Sequence, residues 1–145
     1  MTDVVKIAVV STLTERGAKA RSGKFEFETS VPPAFGGVGG IELPTPPQLI
    51  LAALANCFAE IFKYLAEQKG LFFEDFKVRS TAELDLDAVK TGNGYAGLRN
   101  IKVEVFVKGL SEEEVKALIE EVEKRCPMCP TLTNENFIEI KLKTS

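Results

Sequence analysis

Thr45-Pro46-Pro47-Gln48-Leu49-Ile50-Leu51-Ala52-Ala53-Leu54-Ala55-Asn56-Cys57 is the stretch on which the fold turns. Thr45 can cap a helix, Pro46 suits the first helical position, and Gln48 follows Thr45 by three residues, as in a capping box. The helix so begun is expected to run to about Lys69 and to stop at Gly70. At 1.5 Å per residue it spans on the order of 35 Å. Leu49, Ile50, Leu51, Leu54, Phe58, Ile61, Phe62 and Leu65 leave almost no polar face in its first half. A helix apolar all round belongs in the middle of a domain or in a dimer core. Glu60, Lys63, Glu67 and Lys69 make the second half amphipathic.

Just before this helix, residues 31–47 mix Pro32, Pro33, Pro44 and Pro46 with Gly36, Gly37, Gly39 and Gly40, which predicts a loop. Residues 3–14, with Val4, Val5, Ile7, Val9 and Val10, predict a strand. A polar turn containing Arg16 and Arg21 leads to Lys24-Phe25-Glu26-Phe27-Glu28-Thr29, whose alternation is that of a half-buried strand. The chain therefore opens on a β-hairpin. Downstream, residues 74–89 and 99–108 alternate as two further strands, joined by the glycine-rich residues 91–97. Ser111 and Glu114 form a second capping box, and Val115, Leu118, Ile119 and Val122 follow at helical spacing until Pro127 ends the run. Residues 137–142 predict a last strand. The order of elements is that of an α+β protein.

Length and composition narrow the rest. The 145 residues, 45% hydrophobic and 27% charged, fit one globular domain spanning 1–145. A net charge of −3 without a basic run argues against nucleic acid as a partner. The first residues lack the charged-then-apolar pattern of a secretion signal, and the most apolar stretch, 49–59, is about half of the roughly 20 residues that cross a bilayer. A soluble, cytoplasmic protein is expected. With no histidine in the chain, Ser-His-Asp triads, Cys-His pairs and histidine-ligated metals are excluded.

Chemistry then falls to thiols, carboxylates, Lys, Arg and hydroxyls. Cys57 lies on the stripe Ile50, Leu54, Cys57, Ile61, where a small core residue would also fit, and Cys126 follows Val122 by four on an apolar face. Three readings of Cys126-Pro127-Met128-Cys129 stand side by side. A thioredoxin-type pair wants its first cysteine at a helix N-terminus, whereas Cys126 closes a helix. A zinc knuckle needs four ligands, and Cys57 is the third thiol of three. The last reading brings Cys57 and one of these thiols together by packing the two helices. A thiol that attacks peroxide must be a thiolate, burial opposes that, and a cation from elsewhere would restore it. Arg is the better cation, being permanently charged and forked, and Arg16 and Arg21 in the first turn are the candidates.

The loop Pro32-Pro33-Ala34-Phe35-Gly36-Gly37, the helix from Thr45 to Cys57 and the pair Cys126-Pro127 together resemble the OsmC/Ohr family, the osmotically inducible and organic hydroperoxide resistance proteins, over essentially the whole chain. The resemblance implies two long central helices wrapped by antiparallel β-sheets in an intertwined homodimer, with active sites at the subunit interface. It implies a peroxidatic role for Cys57, a resolving role for Cys126, a catalytic arginine at Arg21 or, close behind, Arg16, and an external dithiol in place of a bound cofactor or metal. Two departures stand out. Where family members carry a glutamate that holds the arginine, this chain has Pro47 and Gln48, so Gln48 or the loop residue Glu42 would have to serve. Cys129 stands where the family often has a small polar residue.

The expected activity is thus reduction of alkyl or lipid hydroperoxides through a Cys57 sulfenic acid and a Cys57–Cys126 disulfide. The alternative is a non-catalytic module of the same fold, holding an apolar or acyl ligand in the interface pocket, with the thiols as a sensor.

Overall fold

The computed structural model describes residues 3–133 and 138–143. The chain forms two compact units, residues 1–51 with 82–101 and residues 52–81 with 102–145. Its elements are β1 (Val10–Leu13), β2 (Ala18–Ser22), β3 (Phe25–Thr29), a 3-10 turn at Pro33–Phe35, α1 (Pro46–Gln68), β4 (Asp75–Glu83), α2 (Leu86–Thr91), β5 (Arg99–Lys108), α3 (Glu112–Arg125) and α4 (Met128–Thr133). This is an α+β architecture with antiparallel sheets.

In the first unit β1, β2 and β3 form an antiparallel sheet in that order. The β2–β3 register sets Lys19 opposite Glu28 and Arg21 opposite Glu26, so opposite charges face each other across the ladder. The loop that follows folds back on itself through Ser30, which is buried. Its hydroxyl donates to the Arg16 carbonyl at 2.7 Å and accepts from the Gly40 amide at 3.0 Å. Gly39 is required here, because a Cβ at that position would collide with the Ser30 hydroxyl and the Arg16 carbonyl. At the start of α1 the Gln48 side chain accepts from the Thr45 amide at 2.8 Å and from its hydroxyl at 3.1 Å.

The second unit holds the core. Phe58, Phe62, Leu65 and Ala66 of α1 are buried against Leu118, Val122 and Cys126 at the end of α3. β4 and β5 pair as a two-stranded ribbon, and Phe76 and Val78 of β4 with Val103, Val105 and Val107 of β5 pack onto this cluster from one face of it, as their alternation predicts. Phe62 is fully enclosed and sits between Phe73 and Phe76, with ring centroids 5.9 and 4.7 Å away. Both bonds of the Ser111–Glu114 capping box form, at 2.9 and 3.1 Å, and α3 starts where the sequence places it.

Four expectations need correction. The strand expected over 3–14 is confined to Val10–Leu13. Val4, Val5, Ile7 and Val9 lie exposed with no regular structure, since no neighbouring strand pairs with them. The strand expected over 74–89 ends at Glu83, because the Asp85 carboxylate accepts the Ala88 amide at 3.1 Å and caps α2, which Gly92 closes at a φ of 77°. Of the last expected strand, Phe137 lies outside the described residues and 138–142 have no regular structure, leaving Ile138, Ile140 and Leu142 exposed. Finally, the polar turn expected between the first two strands holds β2 (Ala18–Ser22), so the opening hairpin is a three-stranded sheet and Arg21 lies in a strand. The long helix forms as expected, α1 being one continuous helix of 23 residues, long and apolar enough by length and composition alone to cross a bilayer. Its Leu54, Phe58, Phe62, Leu65 and Ala66 are buried within the protein.

Candidate active site

Cys57 lies in α1 beside Phe58, one turn before Ile61, and faces the end of α3. There Cys126 occupies the C-cap position with extended backbone, its amide donating to the Val122 carbonyl at 2.8 Å. The two sulfurs are 2.9 Å apart, joined by an S–H···S hydrogen bond. Helix packing has brought together two thiols 69 residues apart in the chain. Both are free thiols, as is Cys129.

The chain does not leave the helix and wander off at Pro127. It turns immediately into the short helix α4, which sequence reading missed because Pro127 and Pro130 look like terminators. Pro130 is tolerated because the first-turn amides of a helix have no intrahelical acceptor. As a result Cys126 is followed at once by amides that point back at it. The amides of Cys129 and Met128 donate to its sulfur, and it shares hydrogen bonds with the thiols of Cys57 and Cys129. The expectation that Cys126 only closes a helix was therefore half of the picture. It also stands directly ahead of a second one.

These contacts divide the three thiols. Burial, the hydrogen bond with Cys126 and that neighbour's charge push the Cys57 thiol up to about 11, against the pull of the Met128 amide. Burial and the hydrogen bond to Cys126 push Cys129 higher still, to about 12. Burial acts on Cys126 in the same direction, but its donors outweigh it and hold this thiol below the ordinary range. Of the three thiols, Cys126 is the one whose anion the cluster favours. That sulfur is fully buried, while Cys57 and Cys129 are partly open to solvent. The most acidic thiol is the least accessible one.

The other sequence candidates, Arg16, Arg21, Glu42 and Gln48, belong to the first unit. Arg16 pairs with Glu28 at 2.8 Å and Arg21 with Glu26 at 3.7 Å. Their carboxylate partners thus come from β3, not from Gln48, which is engaged with Thr45, nor from Glu42, which lies exposed in the loop. Lys19 joins the same network, reaching Glu26 and Glu28 at 3.3 Å each. The signal for these partners was present only in part. Glu26 and Glu28 alternate on one face of the expected strand, but Lys19 and Arg21 fall where a turn was expected, and it is the strand β2 formed there that sets them opposite. Among the described residues, no group of three or more Cys, Asp or Glu side chains is arranged to hold a metal ion.

The family profile described as OsmC-like protein matches residues 39–141. Among solved structures, an OsmC-like protein from Mycoplasma pneumoniae superposes with a TM-score of 0.71 at 26% identity, over 88% of this chain and 87% of that one. An organic hydroperoxide resistance protein from Elizabethkingia anophelis gives 0.72 at 22% identity, over 92% and 91% of the two chains. The organic hydroperoxide resistance protein of Bacillus subtilis gives 0.57 at 19% identity, over 89% and 91%. Comparison with curated protein sequences found no match.

Proposed function

The chain belongs to the OsmC-like family, and from that premise we propose that it is a thiol peroxidase reducing organic hydroperoxides through Cys57 and Cys126. The observation that carries this reading is the pair of free sulfurs 2.9 Å apart, one buried and one accessible.

In the proposed reaction the Cys57 sulfur attacks the terminal peroxide oxygen. An S–O bond forms, the O–O bond breaks, and the alcohol leaves with the proton that Cys57 gives up. The Cys126 sulfur, 2.9 Å from Cys57, is placed to relay that proton to the departing alcohol as the O–O bond breaks. Sulfur is oxidised by two electrons and the peroxide reduced by two. Cys126 then attacks the Cys57 sulfenic acid, forming the disulfide and expelling hydroxide, which leaves as water. An external dithiol returns both sulfurs to the thiol state. A guanidinium would stabilise the developing negative charge, and of the two candidates Arg16 is the more firmly held, by Glu28. The apolar neighbours of Cys57 favour alkyl or lipid hydroperoxides.

The reading includes a cytoplasmic homodimer. Supporting it, Val4, Val5 and Ile7 at one terminus and Ile138, Ile140 and Leu142 near the other are each about 80–90% exposed. Alternating apolar residues with unpaired backbone are what a strand from a second copy would cover. The decisive assay is consumption of cumene hydroperoxide with a dithiol, measured on wild type and on Cys57→Ser. Equal rates would remove the proposal, and a monomer by light scattering would remove its dimeric part.

A further inference from the structure

The two-thiol reaction leaves the third sulfur of the cluster unused. The Cys57 sulfur lies 2.9 Å from Cys126, and the Cys129 thiol hydrogen-bonds Cys126 as well, while Cys57 acts on Cys129 through charge. Cys126 is therefore the middle sulfur of three. Thiol–disulfide exchange proceeds by a thiolate attacking one sulfur of a disulfide while the other departs, so the attacked sulfur must lie between the two. The fold supplies that arrangement. The turn from α3 into α4 brings Cys129 back onto Cys126 across only Pro127 and Met128, a spacing at which cysteines form reversible disulfides.

We propose that Cys129 is a third catalytic thiol, which takes over the disulfide from Cys57 so that the oxidised chain settles as Cys126–Cys129 with Cys57 free. This inference rests on the peroxidase reading. After Cys57–Cys126 has formed, Cys129 releases its proton to solvent and attacks the Cys126 sulfur. The Cys126–Cys129 bond forms, the Cys57–Cys126 bond breaks, and Cys57 departs as a thiolate that takes up a proton. No net oxidation occurs.

Two features favour the transfer. In the reduced cluster Cys126 itself, by hydrogen bond and by charge, helps to keep Cys129 protonated. Consuming Cys126 in the first disulfide removes that restraint just when Cys129 is needed. The second feature concerns the reductant. Cys126 is sealed from solvent and Cys129 is partly exposed, so an external dithiol meets Cys129 first. Attack there expels Cys126, the thiol whose ionised form the surrounding donors stabilise, and a more acidic thiol is the better leaving group.

The test treats reduced wild-type protein with one equivalent of cumene hydroperoxide without reductant, quenches it in acid over a time series, alkylates it and maps the disulfides by mass spectrometry. Cys57–Cys126 should appear first and decay as Cys126–Cys129 becomes the majority species, with Cys57 again open to alkylation. In Cys129→Ser and Cys129→Ala the first disulfide should persist. A wild-type Cys57–Cys126 bond that persists while Cys129 stays alkylatable would overturn the relay and leave the peroxidase reading standing. Direct appearance of Cys126–Cys129 in Cys57→Ser at the wild-type rate would also overturn it. Peroxide that leaves all three thiols reduced would remove the peroxidase reading and the relay with it.

Discussion

The β2–β3 hairpin and the thiol cluster at the end of α3 both hold ionisable side chains at hydrogen-bonding distance, with opposite consequences. Arg16 and Glu28 stand 2.8 Å apart, and Cys57 and Cys126 2.9 Å. On the hairpin the partners are open to water, with the Arg16 side chain 55% exposed, and such pairs are screened and contribute little to stability. In the cluster, burial removes water and a shared hydrogen bond sets the two thiols apart, raising Cys57 and lowering Cys126. A short distance between charged groups is informative about chemistry only when the surroundings are known. On the hairpin the pairing favours the charged forms of Lys19 and Glu28, whereas the cluster displaces its thiols in both directions.

Breaking the cluster should have the largest effect. Cys57→Ser removes the attacking sulfur, and peroxide consumption is expected to fall to the uncatalysed background. Phe62→Ala tests the core that presses α1 onto α3. Loss of a fully enclosed ring is expected to lower unfolding free energy by about 3–5 kcal/mol in urea titrations.

Next in size is the double variant Arg16→Ala with Arg21→Ala, which asks whether the hairpin acts on the cluster at all. If a guanidinium supports Cys57, the peroxide rate should drop by about 100-fold. Burial and the hydrogen bond with Cys126 push the Cys57 thiol up to about 11 with both arginines in place, so the Cys57 thiolate accumulates in either protein as the pH rises toward that value. Equal rates in wild type and the variant would separate the two regions in function.

The smallest effect is expected for Glu28→Gln. The hydrogen bond from Lys19, opposed by slight desolvation and aided by the charge of Arg16, holds the Glu28 carboxyl below its usual 4.5. Its lowered value means a contribution present above pH 4.5 and lost as the pH falls through its folded value. Because the carboxyl is exposed, the thermal midpoint at neutral pH should hardly move.

The sequence was most readable where a local interaction decides the structure. Ser111 and Glu114 announce α3 because the capping box is made within four residues, and the alternation of Phe76, Val78, Val103, Val105 and Val107 announces the buried face of the ribbon. The meeting of Cys57 with a thiol of α3 was legible as one option among three, since both lie on apolar helix faces. What escaped depended on competition or on partners. At Asp85 a capping carboxylate overrides an alternating pattern. At Cys126 the proline that ends one helix allows another to begin. Val4 to Val9 read as a strand by composition, but a strand exists only when something pairs with it. Gln48 and Glu42 were the expected partners of an arginine, and the carboxylate that Arg16 meets in this chain is Glu28 of β3.

Cys57 and Cys126 are neighbours in space but separated by 69 positions in the chain. A covalent bond between them ties a loop comprising nearly half the protein and withdraws about 4 kcal/mol of freedom from the unfolded chain. The first oxidised form should therefore melt well above the reduced protein. Passing the bond to Cys129 shrinks that loop to four residues and returns most of the freedom. Heat resistance would then rise and fall within a single turnover, making the melting curve a clock for where the bond resides.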